Sequence, residues 1–163
     1  MGNCMMTQHA SQLNTEEMIQ INEQSDVVFA QHRSRLFAQS IGFTQKAQWQ
    51  IAIAVSEAAT NILKFAKHGT ILIKELNSEP KGLEFVAEDS GPGIQEIEKA
   101  LEDGFSEGKK LAEEIQICDH RGLGSGLPAI IRMMDYFIIT KADHGGTILT
   151  ARKFLPKEDE IEK

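Results

Sequence analysis

The sequence predicts an α/β two-layer sandwich, a mixed and mostly antiparallel sheet covered on one face by helices. Three observations predict it. Strand-like runs over 70–76 (TILIKEL) and 83–88 (LEFVAE) flank Asn77-Ser78-Glu79-Pro80-Lys81-Gly82, which is turn chemistry, so they read as an antiparallel hairpin. A second such pair, over 136–141 and 147–154, flanks Ala142-Asp143-His144-Gly145-Gly146. Between the first helix signal and the first hairpin runs 45–67 (QKAQWQIAIAVSEAATNILKFAK). There Ala47, Ile51, Ala54, Val55, Ala58, Ile62 and Phe65 recur at the spacing of one buried helical stripe.

The 163 residues suffice for one domain with a sizeable core. Residues 1–14 are polar and unpatterned and are expected to be a disordered lead; 15–156 is the domain, and 157–163 is an acidic tail. Alternation over 17–22 (EMIQIN) predicts a first strand, at an edge. Ser25 offers a cap for a helix reaching residue 40, with Val27, Val28, Ala30, Leu36, Phe37 and Ile41 apolar, and Gly42 ends it. Thr44 is expected to cap the long central helix and Gly69 to stop it. After the first hairpin come Asp89-Ser90-Gly91-Pro92-Gly93 and a short helix over 94–101. The charged stretch 104–122 is expected to be the least regular part. A helix over 128–134 follows three spaced glycines, with Pro128 suited to a first turn, where its missing N–H needs no partner.

Composition excludes several classes. Apolar residues make up 41% and charged residues 25%, as in soluble globular proteins. A net charge of −7 argues against a nucleic-acid surface. No apolar run approaches membrane-spanning length, and the first residues lack the pattern of a secretory leader. Met6 stands where an acylation motif wants serine or threonine. Cys4 and Cys118 are far apart and outside any metal-ligand spacing, so free thiols in the cytoplasm are expected.

Four short motifs carry the chemistry. Glu57 and Asn61 are four apart on the long helix, so a carboxylate and a carboxamide point the same way one turn apart, inside an apolar run. Taken alone, the pair also fits the solvated edge of an amphipathic helix. Asp89 opens a glycine turn at the end of a strand. Such a turn needs glycine whatever its function, but it also lets backbone approach a flat ligand closely. An ionised carboxylate only accepts hydrogen bonds, so Asp89 there would select a base edge that donates, such as the adenine amino group, over the guanine carbonyl. Gly122-Leu123-Gly124-Ser125-Gly126 opens a helix and could aim free N–H groups at phosphate. A dinucleotide loop is the rival, with Asp143 about twenty residues on as the ribose acid. Against it stand the G-x-G-x-G spacing and the charged, unstrand-like residues before it. Gly145-Gly146-Thr147 is a hairpin turn whose hydroxyl could brace Asp89.

In this order, and on these elements, the four motifs resemble the N, G1, G2 and G3 boxes of the GHKL ATPase superfamily, the group of gyrase, Hsp90, histidine kinases and MutL. Within it the chain is similar to the anti-sigma-factor serine/threonine kinases, above all the RsbT-type switch kinases of the stressosome. The residues carrying this are 87–94 (AEDSGPGI), 101–106 (LEDGFS) and 122–128 (GLGSGLP). The segment 107–121 is longer than that type leads one to expect, which bears on the ATP lid.

The resemblance implies a Bergerat-type sandwich that binds ATP with Mg²⁺ and phosphorylates a serine or threonine of a STAS-domain partner. It implies Glu57 as general base and Asn61 as a Mg²⁺ ligand. It further implies Asp89 reading adenine, Gly91 and Gly93 lining the base, Gly122, Gly124 and Gly126 holding phosphates, and Thr147 supporting the adenine pocket. Lys64 and Arg121 are candidate phosphate cations whose simpler reading is a solvated charge. Switch members of the family then engage a PP2C-type phosphatase. Two further readings compete: an anti-sigma factor that acts by sequestering a sigma factor, and a fragment of a sensor histidine kinase with His32 as phospho-acceptor. Arg33 follows that histidine where an acid is expected, and the chain is short for a separate dimerisation hairpin.

Overall fold

In the computed structural model, which describes residues 15–92 and 126–157, five strands form one sheet. The elements are β1 (Glu16–Ile21), α1 (Gln24–Ser40), α2 (Gln45–Phe65), β2 (Gly69–Leu76), β3 (Gly82–Asp89), α3 (Gly126–Met133), β4 (Tyr136–Lys141) and β5 (Thr147–Phe154). The strand order is β1-β2-β3-β5-β4, and all four neighbouring pairs are antiparallel. Both expected hairpins form, and β1 takes an edge. The mixed sheet expected from the sequence is therefore purely antiparallel among the described residues. The expected lead 1–14, the short helix over 94–101, the lid segment 107–121 and residues 158–163 of the tail lie outside the described residues.

Alternation decides which face the helices cover. Leu83, Phe85 and Ala87 of β3 point one way, and the register sets Phe85 between Ile73 and Ala151, and Ala87 between Ile71 and Leu149. All of these are buried together with Ile51, Val55, Ala58 and Ile62 of α2. The small residues Ala52, Ala54, Ala58 and Ala59 are also buried, which lets α1 and α3 pack closely on α2.

Three local expectations are corrected. The cap of α1 is Glu23, not Ser25, because the Asp26 carboxylate reaches back to accept the Asn22 and Glu23 amides at 2.8 and 3.0 Å. Thr44 does cap α2, accepting from the Ala47 amide at 3.3 Å. However, α2 ends at Phe65, and the residue that turns the chain is Lys67, with φ 69°; Gly69 belongs to β2. Phe65 is 45% exposed and lies outside the core, with the Lys64 ammonium 4.9 Å from its ring centroid.

Among the described residues the outer face of the sheet holds one buried charge. Glu84 is 3% exposed and sits in register between Lys74 and Arg152, which bond one carboxylate oxygen each. Burial raises the Glu84 carboxyl, but the hydrogen bonds and charges of Lys74 and Arg152 outweigh it and hold it below the usual carboxylate range. A lowered native pKa means that this stabilisation is present above the unfolded pKa and is lost as pH falls through the native value. Glu84→Gln is expected to cost about 1–2 kcal/mol at neutral pH, a figure discounted for partners that are themselves partly exposed. Urea unfolding at several pH values checks this: the gap between variant and wild type closes in acid.

Candidate functional site

α2 places Glu57 and Asn61 side by side in its last three turns, both half-buried. Among the described residues neither side chain has a hydrogen-bond partner inside the protein. The first residue described in α3 closes over them. A Cβ built on Gly126 would lie 3.1 Å from Asn61 Oδ1 and 3.4 Å from Glu57 Oε2. The third glycine of the G-x-G-x-G run thus brings backbone directly against the acid–amide pair, and a Cβ there would need the Asn61 amide to give by a few tenths of an ångström. Since Gly126 is already helical and Pro128 lies two residues on, the helix expected over 128–134 starts earlier than expected. Gly126→Ala is expected to leave the unfolding midpoint nearly unchanged and to lower turnover about tenfold or more by misplacing Asn61. Parallel denaturation and phosphotransfer assays check it.

Asp89 is the last residue of β3. Its Oδ1 accepts the Gly91 amide at 2.8 Å and the Thr147 amide at 3.4 Å, while Oδ2 has no partner among the described residues. Thr147 therefore touches the carboxylate through its backbone N–H, and not through its hydroxyl as expected from the sequence. The turn is pressed onto the end of α2: a Cβ on Gly91 would lie 2.8 Å from the Ala66 Cβ. Asn61 is five residues before Ala66, about 7–8 Å along the helix. One helix segment is thereby flanked by Gly126 beside its acid–amide pair and by the Asp89 turn at its end.

Two residues gain a place that their sequence pattern did not give. Gly146 packs so tightly on the Asp89 backbone that a Cβ would fall onto the Asp89 carbonyl oxygen. His144 Nε2 lies 3.3 Å from the same carbonyl oxygen and 3.8 Å from Glu88 Oε1. Both hold the β4–β5 turn against the end of β3, and only the strand order β3-β5-β4 makes them neighbours of Asp89. Lys64, over the Phe65 ring, is an exposed cation. His32 is exposed on α1. Gly93, Arg121, Gly122 and Gly124 lie outside the described residues, as do Cys4 and Cys118.

The donor set suits a nucleotide with a hard metal ion. Among the described residues, a carboxylate and a carboxamide oxygen without protein partners stand beside the first described turn of α3, and an acceptor oxygen stands open at the other end. Among the described residues no three His, Cys, Asp or Glu side chains gather into a metal cage. A hard ion such as Mg²⁺ keeps waters and takes one or two protein oxygens together with phosphate oxygens, and the Glu57 and Asn61 side-chain oxygens are of that kind. Among the described residues no helix is long and apolar enough to cross a membrane.

Two comparisons with known proteins found similar sequences. A family model described as a histidine kinase-like ATPase domain matches residues 22–153. The chain is 37% identical over 144 residues to the serine/threonine-protein kinase RsbT of Bacillus subtilis (strain 168), covering 88% of this chain and 99% of that protein.

Proposed function

The chain belongs to the histidine kinase-like ATPase domain family, and from that membership we propose that it phosphorylates a STAS-domain regulator and then exchanges it for a PP2C-type phosphatase. That it is a serine/threonine protein kinase follows from the family together with the match to RsbT along most of both chains. The substrate, the partner exchange, a place in stressosome signalling in the cytoplasm and the residue roles are our reading.

The observation that carries it is the contact of Gly126 with both Glu57 and Asn61, which sets against α3 an oxygen pair that has no protein partner among the described residues. Bound ATP with Mg²⁺ supplies the phosphoryl group and neutralises its charge. Asn61 Oδ1 holds the metal. Glu57 takes the proton of the incoming serine or threonine hydroxyl as that oxygen bonds to the γ-phosphorus and the bond to the β–γ bridging oxygen breaks. Asp89 Oδ2 accepts a hydrogen bond from the adenine amino group, with Gly91 and Gly93 along the base and Thr147 behind the carboxylate. Gly122, Gly124 and Gly126 give backbone N–H groups to the phosphates. The new phosphate adds up to two negative charges to the partner's surface, enough to release a complex formed with the neutral hydroxyl.

Incubation with radiolabelled ATP, Mg²⁺ and purified STAS-domain proteins tests this. Label on a STAS serine or threonine, followed by capture of a PP2C-type phosphatase once the STAS protein is phosphorylated, is the expected result. Capture of a sigma factor without label transfer would replace it with the sequestering reading.

A further inference from the structure

The β3–β5 ladder stops one residue short of Asp89. Its last pair is Glu88 with Ile148, so strand register holds Asp89 on the β2 side, opposite Gly69, and not on the β5 side. Two groups reach past the end of the ladder instead. The Thr147 amide donates to Oδ1 at 3.4 Å, a long contact. The His144 ring brings Nε2 to 3.3 Å from the Asp89 carbonyl oxygen. His144 stands in the turn between β4 and β5, where the Ala142 amide donates to the Gly146 carbonyl at 2.9 Å and the Gly145 amide to the Ala142 carbonyl at 3.0 Å. Chemistry decides which ring nitrogen carries the hydrogen. Nε2 faces two acceptors, the Asp89 carbonyl oxygen and, at 3.8 Å, Glu88 Oε1. A bare Nε2 would set its lone pair against both, so these partners assign the hydrogen to Nε2, which donates it to the carbonyl.

We propose that His144 is a positioning residue of the nucleotide site: by donating to the Asp89 main chain it fixes the direction of the Asp89 carboxylate, and so sets how tightly adenine is held. This rests on the reading of Asp89 Oδ2 as the acceptor of the adenine amino group. The link from ring to ligand is short. The Asp89 carbonyl and side chain share one Cα, so a held carbonyl leaves the carboxylate only its own rotamers. The Gly91 and Thr147 amides choose among these by taking Oδ1, which leaves Oδ2 to the ligand. An acceptor ordered in advance costs less to order on binding, and that difference appears as affinity. Glu88 is itself half-exposed, so its charge adds little beyond turning the Nε2 edge of the ring inward.

Calorimetric titration of the full chain with ATP and with GTP, each with Mg²⁺, tests the proposal. His144 is exposed and fills no part of the core, so its variants keep the sheet. His144→Ala should raise the ATP dissociation constant about three- to tenfold, the range that one hydrogen bond gives. GTP affinity should not fall, because guanine presents a carbonyl where adenine presents its amino group. His144→Gln keeps an N–H donor for the same carbonyl and should bind ATP within about twofold of wild type. His144→Glu sets an acceptor against two acceptors and should bind ATP no better than the alanine variant. A residue that merely filled space would make glutamine and glutamate equivalent. In an Asp89→Asn background, His144→Ala should add less than about twofold, since the acceptor it positions is gone. Three results would each overturn the proposal while the adenine reading stands: wild-type ATP affinity in His144→Ala beside a weakened Asp89→Asn, glutamine no better than alanine, or an equal loss for GTP. Full additivity in the double variant overturns it as well. Wild-type ATP affinity in Asp89→Asn is a different result, which removes the adenine reading and this proposal with it.

Discussion

Glu57→Ala is expected to keep ATP bound and to lower phosphotransfer by about 10²–10⁴-fold, the usual contribution of a positioned general base. Glu57 Oε2 lies beside Gly126, and among the described residues nothing in the protein occupies the carboxylate, so its removal breaks no internal bond and leaves α2 its helix-favouring alanine. The apolar contacts that hold α2 come from Ile51, Val55, Ala58 and Ile62, none of which the substitution touches. The loss should therefore appear in turnover and not in the unfolding midpoint or the nucleotide dissociation constant. Single-turnover phosphorylation beside an equilibrium ATP titration separates the two. Wild-type turnover in the variant would remove Glu57 from the base role.

Asp89→Asn should weaken ATP binding by about 30–100-fold, equivalent to about 2–3 kcal/mol. The two oxygens of Asp89 do different work. Oδ1 is spent on the Gly91 and Thr147 amides, and an asparagine oxygen can go on accepting both, so the turn and the β3–β5 pairing remain. What changes is the open Oδ2, which becomes an N–H₂ group and faces the adenine amino group donor to donor. The same substitution should narrow the preference for ATP over GTP, because the guanine carbonyl now meets a donor. Titrations with both nucleotides check this, and unchanged ATP affinity would contradict the adenine-reading role.

Much of this was legible in the residues because local patterns repeat at fixed periods. The strand-like runs on either side of the 142–146 turn placed β4 and β5 with the bounds observed, and the helical stripe of α2 was placed to within two residues at its end. The acid–amide pair was legible for the same reason: a spacing of four is enough to align two side chains on a helix. The misreadings are equally local. Ser25 looked like the better cap, but Asp26 could reach two free amides and Ser25 none; Gly69 looked like the natural stop, but Lys67 took the left-handed turn and left Gly69 to pair with Asp89. Phe65 fitted the apolar stripe by number, yet it falls where the helix has already passed the edge of the core.

Periodicity and turn chemistry were sufficient to make this an α/β sandwich and to place Glu57, Asn61, Asp89 and the glycine turns on their elements, because each of these depends on neighbours within about one helical turn or one hairpin; what set them apart as a site was the order of the four motifs and the resemblance it carries. Three things were beyond them: that Gly126 closes on Glu57 and Asn61, that Thr147 holds Asp89 by its amide and that Gly146 sits on the Asp89 carbonyl. Those contacts join residues far apart in the chain. They exist only because strand pairing lays β5 beside β3 and packing lays α3 on α2, choices made by the whole core at once.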